Sequence, residues 1–185
     1  MKRPMKRLRR LRSLSEGRRS RDGSSAVEFA MVALPFFFML FAIMEIGLIF
    51  VTDSILENAT VETGRLIRTG QAANSKLTAD QFKTALCSRM SIFSNDCASR
   101  ANVDVREITQ FRAANPPDPL ANGKTFDSSG LVYVTGQPGS LMLIRVWYAQ
   151  PLVTPFMAQS LSKLKDSGAT MLTATATFRN EPYNQ

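Results

Sequence analysis

From Ala26 to Val51 the chain reads AVEFAMVALPFFFMLFAIMEIGLIFV, an apolar run broken by few polar residues, notably Glu28 and Glu45. As a helix this run reaches about 39 Å at 1.5 Å per residue. The hydrocarbon core of a bilayer is roughly 30 Å thick, so the run spans it with some tilt. It is too long for the apolar core of a secretory signal, and no small-x-small cleavage site follows it. Pro35 predicts a kink or one loosened turn, which membrane helices tolerate. Beyond Val51 the apolar positions thin to helical spacing. Ile55, Ala59, Thr63 and Leu66 fall on one side, and Asp53, Glu57, Glu62 and Arg65 on the other. Gly64 weakens the helix modestly, and Gly70 is a suitable stop. The pattern predicts one stem helix over Ser24 to Thr69, its second half packed on a folded domain.

The remainder alternates between short elements. Asn74 to Lys76 reads as a turn. Thr78 precedes the periodic Leu77, Phe82, Leu86 and Met90, which predicts a short helix capped by Thr78. Ser91 to Ser99 reads as a loop. Val103 to Ile108 alternates as a strand, and Phe111 to Ser129, with three Pro among Asn, Asp and Gly, as a long irregular connection. Leu131 to Thr135 reads as a short strand, and Ser140 to Tyr148 (SLMLIRVWY) as the strongest strand. Gln150 to Pro155 breaks it, Ala158 to Leu164 reads as a short helix, and Thr170 to Phe178 as the last strand. The expected fold is α+β and pilin-like. A long N-terminal transmembrane stem helix carries a small antiparallel sheet of three or four strands on its outer half.

Charge adds a direction. Residues 1–23 hold ten of the 23 Lys and Arg but only Glu16 and Asp22 of the 15 acids, which leaves thirteen of each sign beyond Gly23. All of the net +8 belongs to the head. Basic residues before an apolar span are retained in the cytoplasm. The expected division is therefore a basic cytoplasmic leader over 1–23, a transmembrane helix over 24–51, and an extracytoplasmic α+β domain over 52–185. A nucleic-acid-binding arm is the rival reading of the head. The adjacent span already accounts for the charge, and the rest of the chain has no basic patch to hold a phosphate backbone. The expected partner is the lipid bilayer, and nucleic acid is not.

Cys87 and Cys97 are the only cysteines, and both fall on the outer side of this topology. A disulfide between them would close a short polar loop and contribute about 2–3 kcal/mol. Two unpaired small hydrophobes are the alternative. With no His and two thiols the chain offers no metal set, and nothing calls for a cofactor. It also lacks a P-loop and a G-x-S-x-G nucleophile, and its acids are scattered, so an enzyme is not expected.

Glu28 and Glu45 are the candidate functional groups of the span, because ionisable residues there are costly. Glu28 either reaches the inner headgroups or meets a charged partner. A cut between Gly23 and Ser24 would supply one, an α-amine about one turn away, within one molecule or between neighbours in a filament. Glu45 either marks the outer interface or bonds a partner helix beside Gly47. Asn58-Ala-Thr60 matches a glycosylation pattern. It lies too close to the span for attachment and is read as chance.

These residues carry a resemblance. Gly23, Ala26-Val-Glu-Phe-Ala30, Pro35 and Glu45-Ile-Gly47, followed by ATVETGRLIRTG, resemble the TadE-like (TadE/TadG) proteins of tight-adherence, or Flp, type IV pilus systems. The closing Arg179-Asn-Glu-Pro-Tyr183 and the pair Cys87 and Cys97 resemble that family as well. TadG-like relatives carry a long external extension, so TadE-like is the better match. The resemblance implies a non-enzymatic minor pilin or pseudopilin of a bacterial inner membrane. A prepilin peptidase would process it between Gly23 and Ser24. Its partners would be the Flp pilin, other pseudopilins and the inner-membrane platform proteins of the pilus machine. The alternative is an uncleaved single-pass envelope anchor or adapter with an external interaction domain. An outward-facing hydrolase would require a cleft with paired acids.

Overall fold

The computed structural model describes residues 13–113, 116–121, 123, 125–162 and 167–183. It divides into two compact units, Met1–Met44 and Glu45–Gln185. Helix α1, Ser13–Arg68, runs through Pro35 without a break in its assignment. It starts upstream of the expected Ser24, since no proline interrupts the chain between Pro4 and Pro35. The part of the basic head over 1–12 lies outside the described residues. In the first unit the apolar side chains point outward all round the helix, with Phe29, Met31, Val32 and Leu34 at 71–75% exposure. A helix that is apolar on every side and uncovered is long and apolar enough to cross a membrane.

In the second unit α1 becomes one-sided. Thr52, Leu56, Ala59, Thr60, Thr63 and Ile67 are buried, while Glu57, Glu62 and Arg65 face out. The buried stripe sits about one residue from the expected one, so that Ile55 and Leu66 are only partly covered. Threonines enter the core because each hydroxyl has an acceptor one turn back. Thr52, Thr60 and Thr63 donate to the carbonyls of Leu48, Leu56 and Ala59 at 2.8, 2.7 and 2.7 Å. Helical spacing places Thr63 on this face but not Thr52 or Thr60.

Three strands cover that stripe: β1 Ala101–Ile108, β2 Leu141–Pro151 and β3 Ala169–Arg179, antiparallel in the order β1-β2-β3. Alternation sends Val105, Met142, Ile144, Val146, Tyr148, Leu172 and Ala174 into one core with the α1 stripe. Leu131 to Thr135 does not form the expected strand. It makes one parallel bridge, Val105 with Tyr133, through Val105 N–H to Val132 O at 2.8 Å and Val134 N–H to Val105 O at 2.9 Å. Strand β2 continues through Pro151, past the expected break at Gln150.

Helix α2, Gln71–Asn74, follows directly on Gly70, and α3 spans Ala79–Ser88. Thr78 caps α3 reciprocally: Gln81 N–H donates to Thr78 Oγ1, and Thr78 N–H donates to Gln81 Oε1. The expected loop Ser91 to Ser99 is instead a 3₁₀ turn, Ser91–Phe93, and helix α4, Ser94–Arg100. It is too short and polar to show periodicity, and it is fixed by the Cys87–Cys97 disulfide, which joins α3 to α4 with the Cα atoms 5.4 Å apart. Helix α5 spans Pro155–Leu161 and begins before the expected Ala158, with proline in the first-turn position that tolerates it. Its expected end at Leu164 lies outside the described residues.

At Gly64 α1 lies close against the sheet. A Cβ there would lie 3.1 Å from Ile144 Cδ1 and 3.2 Å from Phe178 Cε1. Gly64→Leu should therefore force the helix off the sheet and destabilise the second unit by about 1–3 kcal/mol, typical of overpacking. The expected readout is a lower urea midpoint in detergent with an unchanged slope. An unchanged midpoint would show that the contact is not tight.

Candidate functional site

In the first unit, Gly23, Ser24 and Glu28 lie within little more than one helical turn. Residues four apart share a helix face, and Ser24 Oγ donates to Glu28 Oε1 at 3.1 Å. Both side chains are exposed, and nothing lies within 4 Å of a Cβ built on Gly23. The arrangement presents a carboxylate one turn from the residue 24 backbone nitrogen, with open space at the Gly23–Ser24 bond.

Glu45 opens the second unit. Its Oε1 accepts the N–H of Val153, and both oxygens accept the N–H of Thr154, at 3.3 and 3.1 Å. The carboxylate thus fastens the chain between β2 and α5 to the last part of the apolar run. Nothing local in the sequence links residues so far apart.

The face of the sheet away from α1 carries a charged cluster that the sequence reading did not single out. Asp104 is fully buried. Its Oδ2 accepts Arg106 Nε at 2.8 Å and Arg145 Nη2 at 2.7 Å, and its Oδ1 accepts Arg106 Nη2 at 2.7 Å. The Val132 N–H adds a further bond to Oδ1 at 2.9 Å. Asp104 and Arg145 are direct partners across β1 and β2, and Arg106 is two residues along β1 on the same face. The guanidiniums reach on to Gly130 O at 2.9 Å and Pro117 O at 3.0 Å, tying down the irregular connection. Arg145 also lies over the Trp147 ring, 4.7 Å from its centroid, and Phe126 meets Trp147 edge-on at 5.8 Å. Two guanidiniums and a backbone amide occupy the carboxylate, so it is a structural centre and is not available as a general base. One signal was legible: an arginine inside the strongest apolar strand needs a buried counter-charge.

A second closure joins the end of α1 to the tail. Gly70 has φ +75°, and a Cβ there would fall 2.3 Å from the Tyr183 ring. Glu181 donates its N–H to Arg68 O at 2.8 Å and pairs with the Arg68 side chain at 3.1 Å. Asn180 is buried and donates to Thr135 O and Gln137 O at 3.0 and 3.2 Å. The Arg-Thr-Gly segment after the helix and the Arg-Asn-Glu-Pro-Tyr tail are therefore two halves of one contact.

With this geometry in place, comparison with known proteins gives one match. Residues 23–65 match the family of TadE-like proteins, from the open glycine through the helix turn that meets the sheet. The match suggests a protein associated with tight-adherence pili. Neither the curated proteins nor the solved structures contain a match.

Burial alone would raise the Asp104 pKa. The Arg106 guanidinium, the Val132 N–H and Arg145 outweigh it and hold the carboxyl below its ordinary range. Its folded pKa thus lies below its unfolded one. The stabilisation is present above the unfolded value, near 3.9, and is lost as pH falls through the folded value. Asp104→Asn leaves two partly buried guanidiniums without their counter-ion and should cost about 3–5 kcal/mol at neutral pH. Denaturation followed from pH 7 down to about pH 3 should show a smaller acid-induced loss for the variant than for the parent. Equal acid sensitivity would remove Asp104 from the explanation.

Proposed function

We propose that the chain is a TadE-like minor pilin or pseudopilin that takes part in assembling a tight-adherence (Flp) pilus and carries out no chemistry of its own. The family match over residues 23–65 carries this reading, because it falls on the helix that holds Gly23, Ser24 and Glu28. In this reading the basic leader stays in the cytoplasm and α1 crosses the inner membrane. The sheet domain lies outside, where an oxidising compartment accommodates the Cys87–Cys97 bond. A prepilin peptidase cuts between Gly23 and Ser24, and the new α-amine is balanced by Glu28, on its own chain or on a neighbour. Flp pilin, other pseudopilins and the platform proteins are the partners, reached through the helix and the outer domain.

One observation favours a second reading. Helix α1 is continuous across the Gly23–Ser24 bond, and a peptidase needs that bond extended. An uncleaved anchor or adapter would keep the helix as it stands, with Glu28 accepting from Ser24.

Intact-mass measurement of protein from a host with the peptidase separates the two. The mature chain is expected to begin at Ser24. A chain beginning at Met1 sinks the processing step. Glu28→Gln should strongly reduce piliation while leaving membrane levels of the protein unchanged. Normal pili in that variant would favour the anchor.

A further inference from the structure

The chain between β2 and α5 combines an apolar exterior with a backbone that has no free amide in its turn. Val153 is 87% exposed, more than Leu34 of the apolar run at 75%, and Phe156 is 57% exposed. Pro151 and Pro155 carry no N–H. Between them, Leu152 N–H donates to Gly168 O at 2.9 Å, and the Val153 and Thr154 N–H groups donate to Glu45. From Pro151 to Pro155 every amide is absent or bonded. Bonded or absent N–H groups lower the cost of bringing this segment toward a less polar phase.

Glu45 sets the depth. It lies six residues before Val51, in the closing stretch of the apolar run. The segment is therefore fastened to the closing stretch of the apolar run, beside exposed Ile46, Leu48 and Phe50. We infer that the turn Pro151–Phe156 rests in the outer headgroup–acyl boundary of the membrane that α1 crosses, with Val153 and Phe156 against lipid and Glu45 as its polar fastening. The bilayer is a second contact surface of the outer domain, in addition to the span itself. Glu45 is then a positioning residue whose charge is matched within the chain. This inference rests on the apolar run as a bilayer span and is independent of any role in a pilus.

The test uses the full chain, with its disulfide intact, in phosphatidylcholine nanodiscs. A single environment-sensitive fluorophore is attached in turn to Val153→Cys, Phe38→Cys in the span, and Thr175→Cys on the exposed side of β3. Spin-labelled lipids carrying the quencher near the glycerol or at mid-chain report depth, and aqueous iodide reports solvent. The label at 153 is expected to emit blue-shifted light, to be quenched best by the shallow lipid probe, and to resist iodide several-fold better than the label at 175. Adding Glu45→Leu, which removes both acceptors, should return the label at 153 to iodide. Iodide access at 153 equal to that at 175, with the label at 38 still lipid-quenched, overturns the inference and leaves the span intact. Protection from iodide without lipid quenching identifies a covering protein surface, such as a second copy, and also overturns it. A label at 38 that escapes lipid quenching sinks the span and this inference together.

Discussion

The close contact of α1 with the sheet at Gly64 is the constraint on which the sheet domain depends. A helix that is apolar on every side over its first half cannot choose a face for a partner. Over its second half the choice is made by size. Thr52, Leu56, Ala59, Thr60, Thr63, Gly64 and Ile67 form the buried stripe, and Gly64 lets Ile144 and Phe178 approach the helix backbone. Three of these residues are hydroxylated, yet they are compatible with the core because their hydroxyls bond the preceding turn. Larger apolar residues would bury more area but hold the sheet further away.

The opposite face of the sheet solves a different problem. A three-stranded sheet with one face on a helix has another face to cover, and the chain covers it with a connection that has almost no regular structure. Backbone in such a connection must find acceptors and donors outside a ladder. Asp104 and its two arginines supply them, with the carboxylate taking the Val132 amide and the guanidiniums reaching the carbonyls of Gly130 and Pro117. One neutralised cluster therefore orders a segment that could not order itself.

The stem helix, the Thr78 cap, β2 and β3 were legible because each is local: a long apolar run, a capping pair three residues apart, a strand-length alternation. Leu131 to Thr135 does not become a strand because its ladder with β1 is a single bridge, between Val105 and Tyr133. Helix α4 was missed because five of its seven residues are polar and Cys97 and Ala98 are too few to set a period, while a covalent bond ties it to α3. In the candidate site, the spacing of Ser24 and Glu28 on one helix face could be read directly. The fastening of Glu45 to Val153 and Thr154 could not, since no pattern in either segment refers to the other.

The cover for the buried stripe has a consequence in time. Gly64 leaves the ribosome long before Phe178, which is about a hundred residues further on. Throughout that interval the outer half of α1 has no mate, although the span preceding it is already fit to enter the bilayer. The apolar run is thus complete first and the stripe meets its sheet last. Completion of the helix and completion of the domain are separate events in the life of the chain, and any factor that recognises the bare stripe has its opportunity between them.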